Sequence, residues 1–95
     1  MNKKFKLINA TERSRVSDRF QIPNDTEISK IKRGDFVKIG AIPEDGIGGE
    51  RFWVKVDYIV GSILLGKVAN NLITIDINYN DDIEFSKNNI MEICK

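Results

Sequence analysis

The chain has 95 residues, 41% of them hydrophobic and 31% charged, with 15 basic against 14 acidic side chains, a net charge of +1 and no histidine. That composition supports one folded core and excludes a disordered chain, a two-core protein and the strong positive field of a general nucleic-acid binder. It also excludes imidazole acid–base catalysis and histidine-based triads.

No apolar stretch approaches the roughly 20 residues of a membrane-spanning helix. The lysines after Met1 are not followed by the apolar run of a secretory signal, and the lone Cys94 has no internal disulfide partner, so a cytoplasmic chain is expected. Charge is uneven along the sequence. Met1 to Lys38 carries ten basic and five acidic residues, whereas Ile39 to Lys95 carries five and nine. The halves dock on each other or merely solvate separate faces, or else a basic N-terminal face meets an acidic partner.

In chain order, Phe5 and Leu7 alternate with polar residues as in a short strand, and Ala10 to Arg19 is polar with Val16 as its one anchor. Asn24 caps a helix with Glu27 three positions on, and the helix is expected to run to about Arg33, with Ile28 and Ile31 as its apolar stripe and Gly34 as its stop. From Asp35 the period is two. Phe36, Lys38 and Gly40 alternate with Val37, Ile39 and Ala41, which predicts a strand with both faces partly covered.

Pro43 to Gly49 reads as a hairpin loop. Its Gly46, Gly48 and Gly49 lack the following Lys-Ser or Lys-Thr and the helix that a phosphate cradle needs. Arg51 to Val60 and Ile63 to Asn70 are strands joined by a Gly61-Ser62 type II′ turn. This turn predicts Val60 opposite Ile63, Tyr58 opposite Leu65, Val56 opposite Lys67 and Val54 opposite Ala69, and with Phe52 they form the core face. The opposite face then holds Arg51, Trp53, Lys55, Asp57 and Ile59, facing Asn70, Val68, Gly66 and Leu64. Leu72 to Ile77 alternates as a further strand. Asn80 takes the place of a turn glycine before the strand Asp82 to Ser86, and a polar turn at Lys87 to Asn89 leads to a last strand, Ile90 to Cys94.

The fold expected is mainly β (α+β): five to seven short antiparallel strands in a half-open barrel or strongly bent sheet, with one helix around residues 25–33. Residues 1–19 read as an N-terminal extension, a short strand or partly disordered, and residues 20–95 as one small β domain.

The run Gly49-Glu50-Arg51-Phe52-Trp53-Val54, followed by a hairpin and Gly66-Lys67-Val68-Ala69-Asn70, resembles an uncharacterised bacterial family of small domains. Its signature is Gly-Glu-Arg, a hydrophobic residue, Trp-Val, then Gly-x-hydrophobic-x-Asn. Phe20 to Pro23, Arg33 to Lys38, and Ile83-Glu84-Phe85 with Ile90 extend the resemblance over most of Phe20 to Ile93. The chain departs from the pattern at Asn80, usually Gly, and Met1 to Arg19 lies outside it. Some allied members are immunity proteins against polymorphic toxins, so the resemblance implies a protein-binding role.

Chemistry is mostly absent from the sequence. Asp76 to Asn80 imitates the first half of a calcium loop, but Asp81 stands where Gly is needed and Lys87 where the bidentate Glu is needed. No metal, cofactor or enzyme activity is therefore expected, and neither Glu44 with Asp45 nor Glu50 with Asp57 marks a catalytic pair. The binding candidates are Arg51, Trp53 and Lys55 on one strand face, with Glu50 and Asn70 beside them. Cations flanking an aromatic ring suit a protein hot spot or a stacked base with its phosphate. Alternatively, Trp53 packs under the N-terminal segment, covered by Ile28 and Ile31. The expected function is a non-catalytic protein-binding module, an immunity-type inhibitor by the resemblance. The alternative is a nucleic-acid-binding small barrel, with monomer and homodimer both open.

Overall fold

The structure is a computed structural model, and it describes residues 5–16, 21–44 and 48–94. Phe20, Gly46 and Asp45 lie outside the described residues, as do the flanks of the N-terminal extension. The order of elements is β1 (Phe5–Leu7), α1 (Ala10–Val16), α2 (Asp25–Ser29), β2 (Phe36–Pro43), β3 (Glu50–Val60), β4 (Ile63–Val68), β5 (Asp82–Ser86), a 3-10 turn (Lys87–Asn89) and β6 (Glu92–Ile93). Strands β1 to β5 lie side by side in sequence order, all antiparallel, and curl into a half-barrel; β6 pairs with β2 beside β1.

The concave face carries the core. Val37, Ile39 and Ala41 of β2, Phe52, Val54 and Val56 of β3, Leu64 and Val68 of β4, and Ile83 and Phe85 of β5 are buried together with Ile31 and Ile90. A smaller cluster of Ile8, Ala10 and Met91 sits on the convex face over Gly40, where an added Cβ would lie 2.8 Å from Ile8 Cδ1 and 2.9 Å from Met91 Cε. Both faces of β2 are thus partly covered, as its alternating apolar pattern predicts: the concave face throughout and the convex face at Gly40, with Phe36 left exposed.

Helix α1 lies in the stretch read as merely polar. Asn9 Oδ1 accepts from the Glu12 N–H at 3.0 Å, an N-cap that the Asn9-x-x-Glu12 spacing encodes. Helix α2 has the expected Asn24–Glu27 capping box but stops at Ser29 rather than near Arg33. Asp35 Oδ2 accepts the Lys32 N–H at 3.0 Å, which turns the chain at Gly34 (φ 95°) into β2. A five-residue helix suffices to put Ile28 and Ile31 on the concave core.

The main correction concerns the β3–β4 register. Gly61 (φ 61°) makes the expected turn, and Val60 pairs with Ile63 and Tyr58 with Leu65. A bulge at Asp57 then shifts the ladder, so that Val56 opposes Gly66, Lys55 opposes Lys67 and Val54 opposes Val68. Because side chains alternate with period two, one extra residue exchanges the faces. Phe52, Val54 and Val56 stay in the core, but Tyr58 and Val60 turn outward while Leu64 and Val68 turn inward. Leu72 to Ile77 is a second correction. It forms a bent loop without ladder partners, although Ile75 and Ile77 still enter the core.

Gly66 permits the bend. A Cβ there would lie 2.5 Å from the Lys55 carbonyl oxygen and 2.6 Å from Val54 Cγ1. Gly66→Ala is therefore expected to lower stability by about 1–3 kcal/mol, read as a reduced urea midpoint. An unchanged midpoint would show that the two strands have room to separate.

Candidate functional site: the outer face of the sheet

On the convex side of β2, β3 and β4, the ladder builds rows of side chains. Phe36, Lys55 and Lys67 form one row, Lys38 and Trp53 the next, and Gly40 and Arg51 the third. In the other direction, past the Asp57 bulge, the same face continues as Tyr58 with Leu65 and then Val60 with Ile63. Arg51, Trp53 and Lys55 thus share a face as their spacing predicts.

Trp53 is half-buried, while Arg51 and Lys55 are exposed. The Lys38 ammonium lies 4.9 Å from the Trp53 ring centroid and 3.2 Å from Glu92 Oε1. An acid on β6 thereby holds the cation over the ring, an arrangement worth about 0.5–1 kcal/mol at an exposed site. Ile28 and Ile31, once candidates for covering Trp53, pack on the opposite, concave face. Arg33 reaches the Tyr58 ring in a similar way, at 5.8 Å.

Glu50 and Asn70 have architectural positions. The Glu50 carboxylate accepts backbone N–H groups from Ile73 at 2.9 and 3.0 Å, Thr74 at 2.8 Å and Ile75 at 3.4 Å. This pins the loop that delivers Ile75 and Ile77 to the core. Asn70 Oδ1 accepts the Trp53 backbone N–H at 2.6 Å, continuing the β3–β4 ladder past the end of β4. The two residues hold the strand that carries Trp53; they do not project from its face.

Desolvation raises the Glu50 carboxyl, but the N–H groups of Ile73, Thr74 and Ile75 lower it by more, so it ends below its ordinary 4.5. The Lys67 ammonium is pushed up, chiefly by its hydrogen bond to Asp82 and against slight desolvation, and stays cationic. Lys55 stands directly opposite it. Like charges in such a pair repel.

The sequence reading missed Phe36, Lys38, Tyr58, Leu65 and Lys67 as members of this face. The β2 alternation already placed Phe36 and Lys38 on one side; the pairing of β2 with β3 and the bulge brought the rest together. Among the described residues, no cluster of acids and cysteine is arranged to hold a metal ion. Asp81 instead closes the turn before β5, its Oδ2 accepting the Asn78 N–H at 2.9 Å, and Asn80 takes φ 73° there.

No protein-family model, curated protein or solved structure matches this chain.

Glu50 makes the loop acid-sensitive. Its folded pKa is lowered, so its contribution is complete above 4.5 and is lost as pH falls below that value through the folded pKa. Glu50→Ala is expected to cost about 1.5–3 kcal/mol near neutral pH. In the wild type, the amide resonances of Ile73 and Thr74 should titrate with a midpoint below 4.5, and Glu50→Gln should abolish that titration. Identical acid titrations in both proteins would remove Glu50 as the anchor.

Proposed function

We propose that this chain is a non-catalytic protein-binding module that docks its partner on the outer face of the β3–β4 hairpin. The observation that carries this reading is the exposure of Tyr58 (61%), Val60 (69%), Ile63 (38%) and Leu65 (38%) side by side beyond the Asp57 bulge. Such clustering exceeds the scattered single apolar residues of an ordinary surface. Tyr58 lies under the Arg33 guanidinium, and Tyr and Arg are typical anchors of interface hot spots. The patch is also flanked by Lys67, Asp82 and Glu84, which supply a polar rim.

The rigid sheet favours binding over reaction. Its side chains are preorganised by ladder hydrogen bonds, so little conformational entropy is lost on association. The described surface depressions are shallow, and the chain has no histidine to serve as a base. The family resemblance adds the form this binding takes, an immunity-type inhibitor that blocks a cytoplasmic toxin by surface complementarity. No helix among the described residues is long and apolar enough to cross a membrane.

Tyr58→Glu combined with Leu65→Glu tests the reading, since neither side chain belongs to the core. With an unchanged melting temperature, the double variant is expected to bind the partner that co-purifies with the wild-type chain at least about tenfold more weakly. It should also lose protection when co-expressed with a toxin that the wild type neutralises. Equal affinity and equal protection by the variant would move the interface elsewhere.

A further inference from the structure

A second site lies on the same convex side, beyond the apolar hairpin end. A depression of about 360 Å³ is lined by Lys55 and Lys67, with Phe36 from β2 and Tyr79 from the turn before β5. Phe36 is 39% and Tyr79 62% exposed, so both rings offer surface to a ligand. Asp57 also lines the depression, and Lys67 is paired with Asp82 at its edge.

Two observations converge on one chemistry. Lys55 and Lys67 stand directly opposite each other on neighbouring strands, so two ammonium-bearing side chains share one spot on the face, with Asp82 paired to Lys67 at its edge. Lys55 has no ion-pair partner among the described residues, so its charge is available. Aromatic rings on both rims of the cation pair add surfaces on which a planar group stacks. One row further, about 6.6 Å along the strand, half-buried Trp53 carries Lys38 over its ring, and Arg51 follows on the same face.

We propose that this face binds nucleotide units, with a phosphate between Lys55 and Lys67 and a base stacked on Tyr79 or Phe36. The further cations Lys38 and Arg51 along the same strand face favour consecutive units of a single strand over a free nucleotide. The site uses none of the apolar hairpin residues, although it shares Lys67 and Asp82 with the polar rim of the docking patch.

The single Trp provides the readout. Oligo-dT of about ten nucleotides should quench Trp53 fluorescence at low salt, and binding should weaken steeply as salt rises. In the wild-type chain it should also shift the amide resonances of Lys55, Lys67, Ala69 and Tyr79. Lys55→Glu with Lys67→Glu is expected to weaken binding at least tenfold, and Tyr79→Ala severalfold. Lys87→Glu, a charge change beyond the far end of β5, should leave it within twofold. Thymidine monophosphate is titrated in parallel. Tight binding of the monophosphate alone would assign the site to free nucleotides, whereas preference for the oligomer assigns it to a strand. The proposal is overturned if neither probe shifts those amides, if the double lysine variant binds like wild type, or if polyglutamate binds as tightly as oligo-dT.

Discussion

The rest of the structure depends on one extra residue. Without the bulge at Asp57, strict alternation would put Phe52, Val54, Val56, Tyr58 and Val60 on the same face, all of them core. With it, β3 bends and its last apolar residues leave the barrel. Two features fix its position. Val56 is held on both sides of its peptide, donating to the Asp35 carbonyl and accepting from the Gly34 N–H, each at 2.8 Å. On the other strand Gly66 lets the Lys55 carbonyl approach closer than any side chain would permit. A strand clamped at Val56 and pressed against a glycine has its irregularity placed for it.

The bend divides labour between the two faces. The concave side is filled by aliphatic and aromatic residues in the usual way, and its open end is closed by the loop carrying Ile75 and Ile77. That loop forms no ladder, so its backbone groups need other partners, and the Glu50 carboxylate supplies an acceptor for three successive N–H groups. An acid that looks like surface chemistry in the sequence is thus a substitute for a missing strand. The convex side, relieved of packing duty except around Gly40, is free to carry rings and cations.

Much of this was legible in the residues, and the exceptions have physical causes. Period-two patterns gave β2, β3, β4 and β5 close to their observed bounds, and Gly61-Ser62 gave the hairpin turn, because local sterics and burial determine both. Asn80 and the Asn24–Glu27 box were readable for the same reason. The Asp57 bulge was not, since its causes are the distant Gly34–Asp35 turn and the close approach at Gly66. Leu72 to Ile77 misled because burial of Ile75 and Ile77 imitates strand alternation while the hydrogen bonds go to a carboxylate. Of the five candidate residues, Arg51, Trp53 and Lys55 share one face by simple parity, whereas the tethering roles of Glu50 and Asn70 required knowledge of where the chain returns.

The convex face has two chemically different ends, and the bulge separates them. Tyr58, Leu65, Val60 and Ile63 form an apolar end, a surface whose burial would be driven by desolvation and little affected by salt. Trp53, Phe36, Lys38, Lys55 and Lys67 form a cationic and aromatic end, a surface whose attraction for an anion would be electrostatic and screened by salt. Glu92 on β6 and Asp82 on β5 each hold one cation from the side, so the charges are positioned without being neutralised in the middle, where Lys55 stands. The same acid on β5, with Glu84, also lines a strand that among the described residues has no ladder partner on its other side, and charged side chains there discourage pairing with a second sheet. A small domain with a guarded edge and a chemically graded face thus presents side chains, rather than an open ladder, to its surroundings.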